Sequence, residues 1–180
     1  MTPRFPAAFS ARGHTLAELV AVLAIAAALA AIAVPSFHHQ LAEAGLRTSV
    51  QQTQAALHLA RQLALGTGSS ITVCPSADQQ RCSLGAPQWM LFRNGPTGRA
   101  DRRDGGEPLL RVWQLPARIV VSGSRSYASF LPQIRAAATV TFDFCHAAAP
   151  ALFRSVVVSQ TGRVRVSRQA SSTPPRAKCR

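Results

Sequence analysis

The sequence predicts an α+β protein in which a long N-terminal helix packs on an antiparallel β-sheet domain. Three observations predict this class: an unbroken apolar run over residues 19–34, apolar residues at helical spacing after it, and short β-rich runs separated by turn residues from Ser70 onward. At 180 residues, the chain is long enough for one domain and an N-terminal appendage.

The apolar run predicts a helix that crosses a membrane once. Every residue from 19 to 34 is apolar, and starting the run at Leu16 adds a single ionisable group, Glu18. A spanning helix needs about 20 mostly apolar residues. Arg4 and Arg12 precede the run, which predicts a cytoplasmic N-terminus and an exported remainder. A cleaved secretory signal is the alternative, but the run is longer than the usual signal core and Glu18 lies in its first turn.

The helical pattern continues beyond the membrane segment. Apolar residues recur at helical spacing at Leu46, Val50, Leu57, Ala60 and Ala64. Arg47 and Arg61 lie between them and are expected on the other side of the helix. Gly66 and Gly68 end the pattern. The second half of the helix is therefore predicted to lie against a folded domain.

Short runs that are rich in β-branched and aromatic residues predict the strands of that domain. These runs are residues 71–73, 89–92, 109–115, 119–121, 139–144, 156–158 and 163–166. The glycine-rich and charged stretch over residues 94–106 predicts a loop. The last two runs are joined by S-Q-T-G and predict a β-hairpin, so that the strands form an antiparallel sheet.

The charge of the chain is strongly positive and unevenly distributed. It has 20 Lys and Arg against 7 Asp and Glu, a formal net charge of +13. Seven of the cations and none of the acids follow Asp143. Such a surface attracts polyanions, namely nucleic acid, anionic lipid or lipopolysaccharide. A basic surface that only keeps the protein soluble is the alternative.

The segment T-G-R-V-R-V-S-R, residues 161–168, predicts an anion-binding strand. Residues two apart on a strand share a face, so Arg163 and Arg165 point one way while Val164 and Val166 point to the core. Gly162 allows a tight turn and a close approach. The same basic zone is extended by Arg154, Arg168, Arg176 and Lys178. Guanidinium groups bind phosphate bidentately. The alternative is an edge strand whose charges discourage aggregation.

The cysteine count predicts disulfide bonds. Four cysteines allow three pairings, and we favour Cys74–Cys82 and Cys145–Cys179. The first pair flanks a polar turn, and the second would tie the basic tail to a strand. No C-x-x-C spacing supports a zinc site.

The sequence predicts no enzyme activity, no cofactor and no metal site. It lacks a G-x-S-x-G motif, a phosphate-binding loop and an H-E-x-x-H motif. Asp101 and Asp104 are surrounded by arginines that would repel calcium, so a plain turn is expected there.

The segment R-G-H-T-L-A-E-L, residues 12–19, resembles the processing site of type IV prepilins. The resemblance implies that a prepilin peptidase cuts between Gly13 and His14 on the cytoplasmic side and that His14 is N-methylated. It also implies that Glu18 neutralises the amino terminus of a neighbouring subunit during assembly. A helix-loosening proline of this family corresponds to Pro35.

A longer series of motifs resembles the FimT/GspH-type minor pilins. The motifs are L-x-L-A-R-Q-L-A-L at 57–65, I-T-V-C-P-S at 71–76, W-M-L-F at 89–92 and T-G-R-V-R-V at 161–166. The resemblance implies a type IV pilin-like fold and a single-pass inner-membrane protein with a periplasmic C-terminal domain, which joins other pilins in a pilus at the cell surface. In the FimT branch a G-R-x-R motif, here Gly162, Arg163 and Arg165, is implicated in binding double-stranded DNA for natural transformation.

The implied organisation has five parts. They are a cleaved leader (1–13), a transmembrane half-helix (14–37), an amphipathic half-helix (38–65), a globular β domain (66–168) and a basic tail (169–180). The main alternative function is structural, as a minor pseudopilin of a type II secretion system or a pilus-assembly primer without DNA binding. A secreted enzyme behind a signal cleaved after about Ala33 is a third interpretation.

Overall fold

The computed structural model of the protein describes residues 15–133 and 139–167. Its one long helix, α1, runs from Leu16 to Thr67. The chain divides into two compact units, one ending at His38 and the other beginning at His39. The helix ends where Gly68 adopts a φ of 63°, a left-handed conformation that favours glycine and is common just after a helix.

The N-terminal part of α1 exposes its apolar side chains. The large exposed ones are Leu16, Leu19, Val20, Val22, Leu23, Ile25, Leu29, Ile32, Val34 and Phe37. By length and composition this helix is able to cross a membrane. A helix that is apolar all round needs an apolar environment, which here lies outside the unit itself.

From His39 onward α1 packs on the β domain. The predicted core positions Leu46, Val50, Leu57, Ala60 and Ala64 are all buried, so this part of the prediction is confirmed. Four of the buried positions in this part of the helix are alanines, namely Ala42, Ala56, Ala60 and Ala64. Small side chains at these positions allow the helix to lie close to the strands that it covers.

The β domain contains two four-stranded antiparallel sheets. Sheet one has the order β3-β2-β1-β5, and sheet two has the order β4-β6-β7-β8. In chain order the strands are β1 (Ile71–Pro75), β2 (Gln88–Arg93), β3 (Leu109–Gln114), β4 (Ile119–Gly123), β5 (Ala128–Phe130), β6 (Val140–His146), β7 (Ala149–Val158) and β8 (Val164–Ser167). The predicted α+β class with a long helix and antiparallel strands is confirmed.

The arrangement differs from the prediction in three ways. A single sheet was expected, whereas the strands form two. Strand β5 was not predicted, because A-S-F is too short to carry a pattern. Strand β7 begins at Ala149, seven residues before the predicted start at 156, and its first half contains Pro150 and exposed positions that hide its strand character.

One core joins the helix to both sheets. Trp89 of β2 has its ring centroid 5.7 Å from that of Trp113, 5.1 Å from that of Phe142 and 6.0 Å from that of Phe144. The two phenylalanines belong to β6 of the other sheet. Aromatic pairs at such separations stabilise a core beyond their buried area. Trp89 therefore links the two sheets.

A disulfide bond between Cys74 and Cys82 closes the segment that follows β1. Cys74 lies in a second, smaller buried cluster with Met90 and Phe92, on the side of sheet one away from the main core. Cys145 is also disulfide-bonded, and Cys179, its expected partner, lies outside the described residues.

Candidate nucleic-acid interface

The hairpin between β7 and β8 carries the predicted anion-binding segment. Its loop consists of residues 160–162, between Ser159 and Arg163. The Ser159 backbone N–H donates to the carbonyl of Arg163 at 3.0 Å, and the Gly162 N–H donates to the carbonyl of Ser159 at 2.8 Å. Gly162 has a φ of 74°. A glycine in the left-handed region is typical of three-residue hairpin loops, and this loop fixes the register of the two strands.

The register places Arg165 on the face away from the main core, and Arg163 immediately precedes β8. Arg165 lies opposite Val157, while Val164 lies opposite Val158. Val164 is buried, whereas Arg163 and Arg165 are exposed. The alternation expected for these three residues is therefore present in the structure.

Val166 departs from the expected pattern. It shares a face with Val164, but 39% of it is exposed. The reason is that β8 is the edge strand of sheet two, and Val166 lies toward its end. Among the strands of residues 15–133 and 139–167, β8 therefore has a neighbour on one side alone.

The acidic side chains bind groups other than the hairpin arginines. The ion pairs within the described residues are Arg47–Glu43, Arg154–Glu43, Arg99–Asp101 and Arg102–Asp104. Glu107 accepts backbone N–H groups of Gly95 at 2.6 Å and Asp104 at 2.9 Å. Within the described part of the chain, Arg163 and Arg165 consequently have no acidic partner.

Local partners hold two of the acids in their charged form. The Arg99 hydrogen bond lowers the pKa of Asp101. The backbone N–H groups of Arg81 and Gln80 lower the pKa of Asp78. Both carboxylates thus remain charged at neutral pH, and Asp101 offsets the charge of the arginine beside it.

Arg154 is separated from the hairpin arginines. It lies opposite Phe144 in β6, on the face of β7 that alternates away from Val157 and Arg165. Its Nη2 is 3.4 Å from Oε1 of Glu43, and only 17% of its side chain is exposed. The structure therefore does not bring Arg154 into one surface with Arg163 and Arg165. The other expected cations, Arg168, Arg176 and Lys178, lie outside the described residues.

Arg61 is a cation at the hairpin that the sequence did not single out as a site residue. A Cβ placed on Gly162 would lie 3.4 Å from Nε of Arg61 and 3.7 Å from its Cδ and Cζ. Gly162 is itself buried. A Cβ at this position would be in ordinary van der Waals contact with Arg61, so glycine is favoured here by its positive φ and not by lack of space.

At the other end of the chain, Glu18 lies in the first turn of α1. Its backbone N–H donates to Oγ1 of Thr15 at 3.3 Å, so Thr15 caps the helix. An acid in the first turn is also favoured by the helix dipole. Gly13 and His14, the expected processing positions, lie outside the described residues.

Residues 49–162 match the protein family described as type II transport protein GspH. The chain belongs to the GspH family. The resemblance to GspH-type minor pilins is thereby confirmed, and the family is one of structural pilin-like proteins. The matched segment ends at Gly162, so the family match does not extend to Arg163 or Arg165. No curated protein sequence matches the chain significantly.

Solved structures share the fold. The type IV minor pilin FimU of Pseudomonas aeruginosa aligns with a TM-score of 0.53 and 16% identity, covering 71% of this chain and 98% of FimU. The minor pseudopilin EpsH of the Vibrio cholerae type II secretion system aligns with a TM-score of 0.51 and 11% identity, covering 72% of this chain and 98% of EpsH. These identities support the same fold and nothing finer.

Proposed function

We propose that this GspH-family protein is a minor pilin that binds double-stranded DNA without sequence preference, for uptake in natural transformation. The observation that carries the proposal is the pair Arg163 and Arg165, the first immediately before the edge strand β8 and the second within it, both exposed and without an acidic partner in the described residues. Exposed cations of this kind are free to bind a polyanion.

The geometry of the pair suits a phosphate backbone. Residues two apart on a strand are separated by about 6.6–6.8 Å, so each guanidinium group can contact its own phosphate. Arginine binds phosphate through two parallel N–H groups and keeps its charge at any physiological pH. The edge position of β8 among the described strands supports contact with an extended partner.

Contacts of this type carry no sequence information. Phosphate contacts set affinity and position, whereas sequence is read by groups that reach the base edges. The long helix of the β domain buries its face against the sheets and is not available to enter a major groove. Binding is therefore expected to depend on salt and not on base sequence.

In this proposal the N-terminal region anchors the protein in the membrane and takes part in pilus assembly. A prepilin peptidase would cut between Gly13 and His14, and the apolar helix would stay in the inner membrane with the β domain in the periplasm. Glu18 would then pair with the amino terminus of a neighbouring pilin. Its position in the first turn of α1, at the edge of an apolar helix, supports this role.

A second candidate function is that of a structural minor pseudopilin in a type II secretion system. The observation that favours it is the match to the family described as type II transport protein GspH. In that case Glu18 and α1 do the essential work, and the hairpin arginines face solvent or a neighbouring subunit.

Fluorescence anisotropy with a labelled 20-base-pair duplex tests the proposal. The full chain in non-ionic detergent should bind with an affinity that falls linearly with log salt, at about 0.9 per phosphate contact. The double variant Arg163→Ala/Arg165→Ala should lower this slope by about 1.8 and weaken binding by about 60-fold at about 0.1 M salt.

The matched control is Arg111→Ala/Arg125→Ala, which removes the same charge. Both residues are exposed, and they lie on β3 and just after β4, away from β8. The control should keep most of the slope. Equal losses in the two double variants would show that only net charge matters, and absence of binding in the unaltered chain would favour the structural pseudopilin.

A further inference from the structure

The face of sheet two that points away from the main core, its outer face, is polar and buried. On β6, Phe142 and Phe144 point into the core, so Asp143 between them points to the outer face. The register aligns Asp143 with Ser155 of β7, and Ser155 in turn with Ser167 of β8. Asp143 is 9% exposed and Ser155 is 1% exposed. A sheet face in contact with water would leave such side chains partly exposed, so this burial indicates that another segment covers the face.

Asp143 is a buried acid whose cation is not found in the described residues. Oγ of Ser155 donates a hydrogen bond to Oδ1 of Asp143. No ion pair within residues 15–133 and 139–167 includes Asp143. Buried aspartates are almost always paired, because a carboxylate that leaves water needs a replacement for its hydration. After α1, the cations outside these ranges are Arg135, Arg168, Arg176, Lys178 and Arg180.

The disulfide bond of Cys145 directs the end of the chain to the same face. Cys145 follows Asp143 by two residues on β6, so both side chains point to the outer face, about 6.6–6.8 Å apart. Cys145 is buried and disulfide-bonded. Because Cys74 and Cys82 bond each other, the cysteine left for Cys145 within one chain is Cys179. A bond between the two would hold the residues around Cys179 beside Asp143.

The C-terminal tail, residues 168–180, has the length and the charge to cover this face. It follows β8, which lies two strands from β6 in sheet two. Two strand spacings amount to about 10 Å. The 11 residues between Ser167 and Cys179 can extend over about 36–40 Å, so the tail can cross the face with length to spare. It has four cations and no acid, which complements a buried carboxylate.

We propose that the outer face of sheet two is the docking surface of the chain's own C-terminal tail, and that Asp143 binds a cation of that tail. The tail is tethered by a Cys145–Cys179 disulfide. The cation that binds Asp143 is one of the three next to Cys179, namely Arg176, Lys178 and Arg180. This inference does not depend on DNA binding, but it has a consequence for it: a cation that is paired with Asp143 is not available to an anionic ligand.

Carboxyl labelling tests whether the tail covers Asp143. The full chain in non-ionic detergent is treated with a water-soluble carbodiimide and glycine ethyl ester, and mass spectrometry measures the rate at which each acid is modified. Cys179→Ser releases the tether and leaves β6 unaltered, so Asp143 should be modified about tenfold faster than in the unaltered chain. The internal control is Asp78, which is exposed and should be modified at the same rate in both. Equal rates at Asp143 would overturn the docking of the tail.

The same assay identifies the cation. Arg176→Gln/Lys178→Gln/Arg180→Gln should raise the rate at Asp143 about tenfold, because the pairing charge is lost while the strands are unchanged. Arg135→Gln is the control for the other cation that follows α1 and lies outside the described residues before β6, and it should leave the rate unchanged. A higher rate in Arg135→Gln alone would assign the pair to that arginine and overturn the proposal.

Peptide mapping without reduction tests the tether in the unaltered chain. The expected product is a peptide that contains Cys145 joined to one that contains Cys179. A Cys145 peptide that is joined to Cys145 of a second chain would overturn the proposal and make the outer face of sheet two an interface between copies.

Discussion

The loop before β3 and the β7–β8 hairpin are both rich in arginine, but the arginines are paired with acids in the loop and not in the hairpin. In the loop, Arg99 and Arg102 each bind an aspartate two residues away, at 2.9 and 3.0 Å. In the hairpin, Arg163 and Arg165 have no such partner among the described residues. Arginine content alone therefore does not define a binding surface, because arginines that are paired with nearby acids are not available to an anionic ligand.

The two regions are also held in different ways. The loop is fixed by Glu107, whose buried carboxylate accepts two backbone N–H groups, and the preceding segment is closed by the Cys74–Cys82 disulfide. The hairpin is fixed by strand pairing and by Gly162. In the loop the charged groups maintain the structure, whereas in the hairpin the backbone maintains the structure and the charges are left exposed.

The largest expected effect is on the stability of the loop. Glu107→Ala removes the acceptor of the Gly95 and Asp104 N–H groups, which should lower the free energy of unfolding by about 2–4 kcal/mol. Urea unfolding measures this change. The salt slope of DNA binding should be unchanged under conditions in which the variant remains folded. A lowered slope would show that the loop and the hairpin do not have separate roles.

The next largest expected effect is weaker DNA binding when an acid is introduced into the hairpin. Gln160 is exposed in the loop next to the arginines, so Gln160→Glu should imitate the loop before β3. We expect DNA binding to weaken by about fivefold to eightfold at about 0.1 M salt, because one cation is neutralised. Gln160→Ala is the control and should bind as the unaltered chain does. Equal affinities in the two variants would contradict the comparison.

The smallest effect is a pH dependence of stability in the loop. The pKa of Asp101 is lowered from 3.8 in the folded chain, so its ion pair stabilises the fold above that pH and is lost as pH falls through the folded value. The unaltered chain should melt at a slightly higher temperature than Asp101→Asn near neutral pH. The difference should shrink as pH falls below 3.8 and vanish at a pH low enough to protonate the carboxyl in the folded chain as well. A difference that persists there would mean that the asparagine acts through lost packing.

Local patterns predicted the helix and most of the strands. Leu46, Val50 and Leu57 repeat at helical spacing, and such a repeat needs no knowledge of distant residues. The pairing of strands into two sheets depends on contacts between distant segments, as in the packing of Trp89 on Phe142. For that reason the sequence indicated antiparallel strands but not their division.

The candidate site was predictable where it depends on one strand. The alternation of Arg163, Val164 and Arg165 follows from strand geometry. The face of Arg154 depends on the register of the hairpin, and the contact of Arg61 with Gly162 joins a helix to a loop. Neither leaves a periodic signal in the sequence, so both became visible only in the folded chain.

The most direct test compares the salt slopes of two double variants with equal loss of charge. Arg163→Ala/Arg165→Ala removes unpaired hairpin cations, whereas Arg99→Ala/Arg102→Ala removes cations that already bind aspartate. We expect the slope of DNA binding to fall by about 1.8 in the first variant and by much less in the second. Equal slopes in the two variants would contradict this expectation.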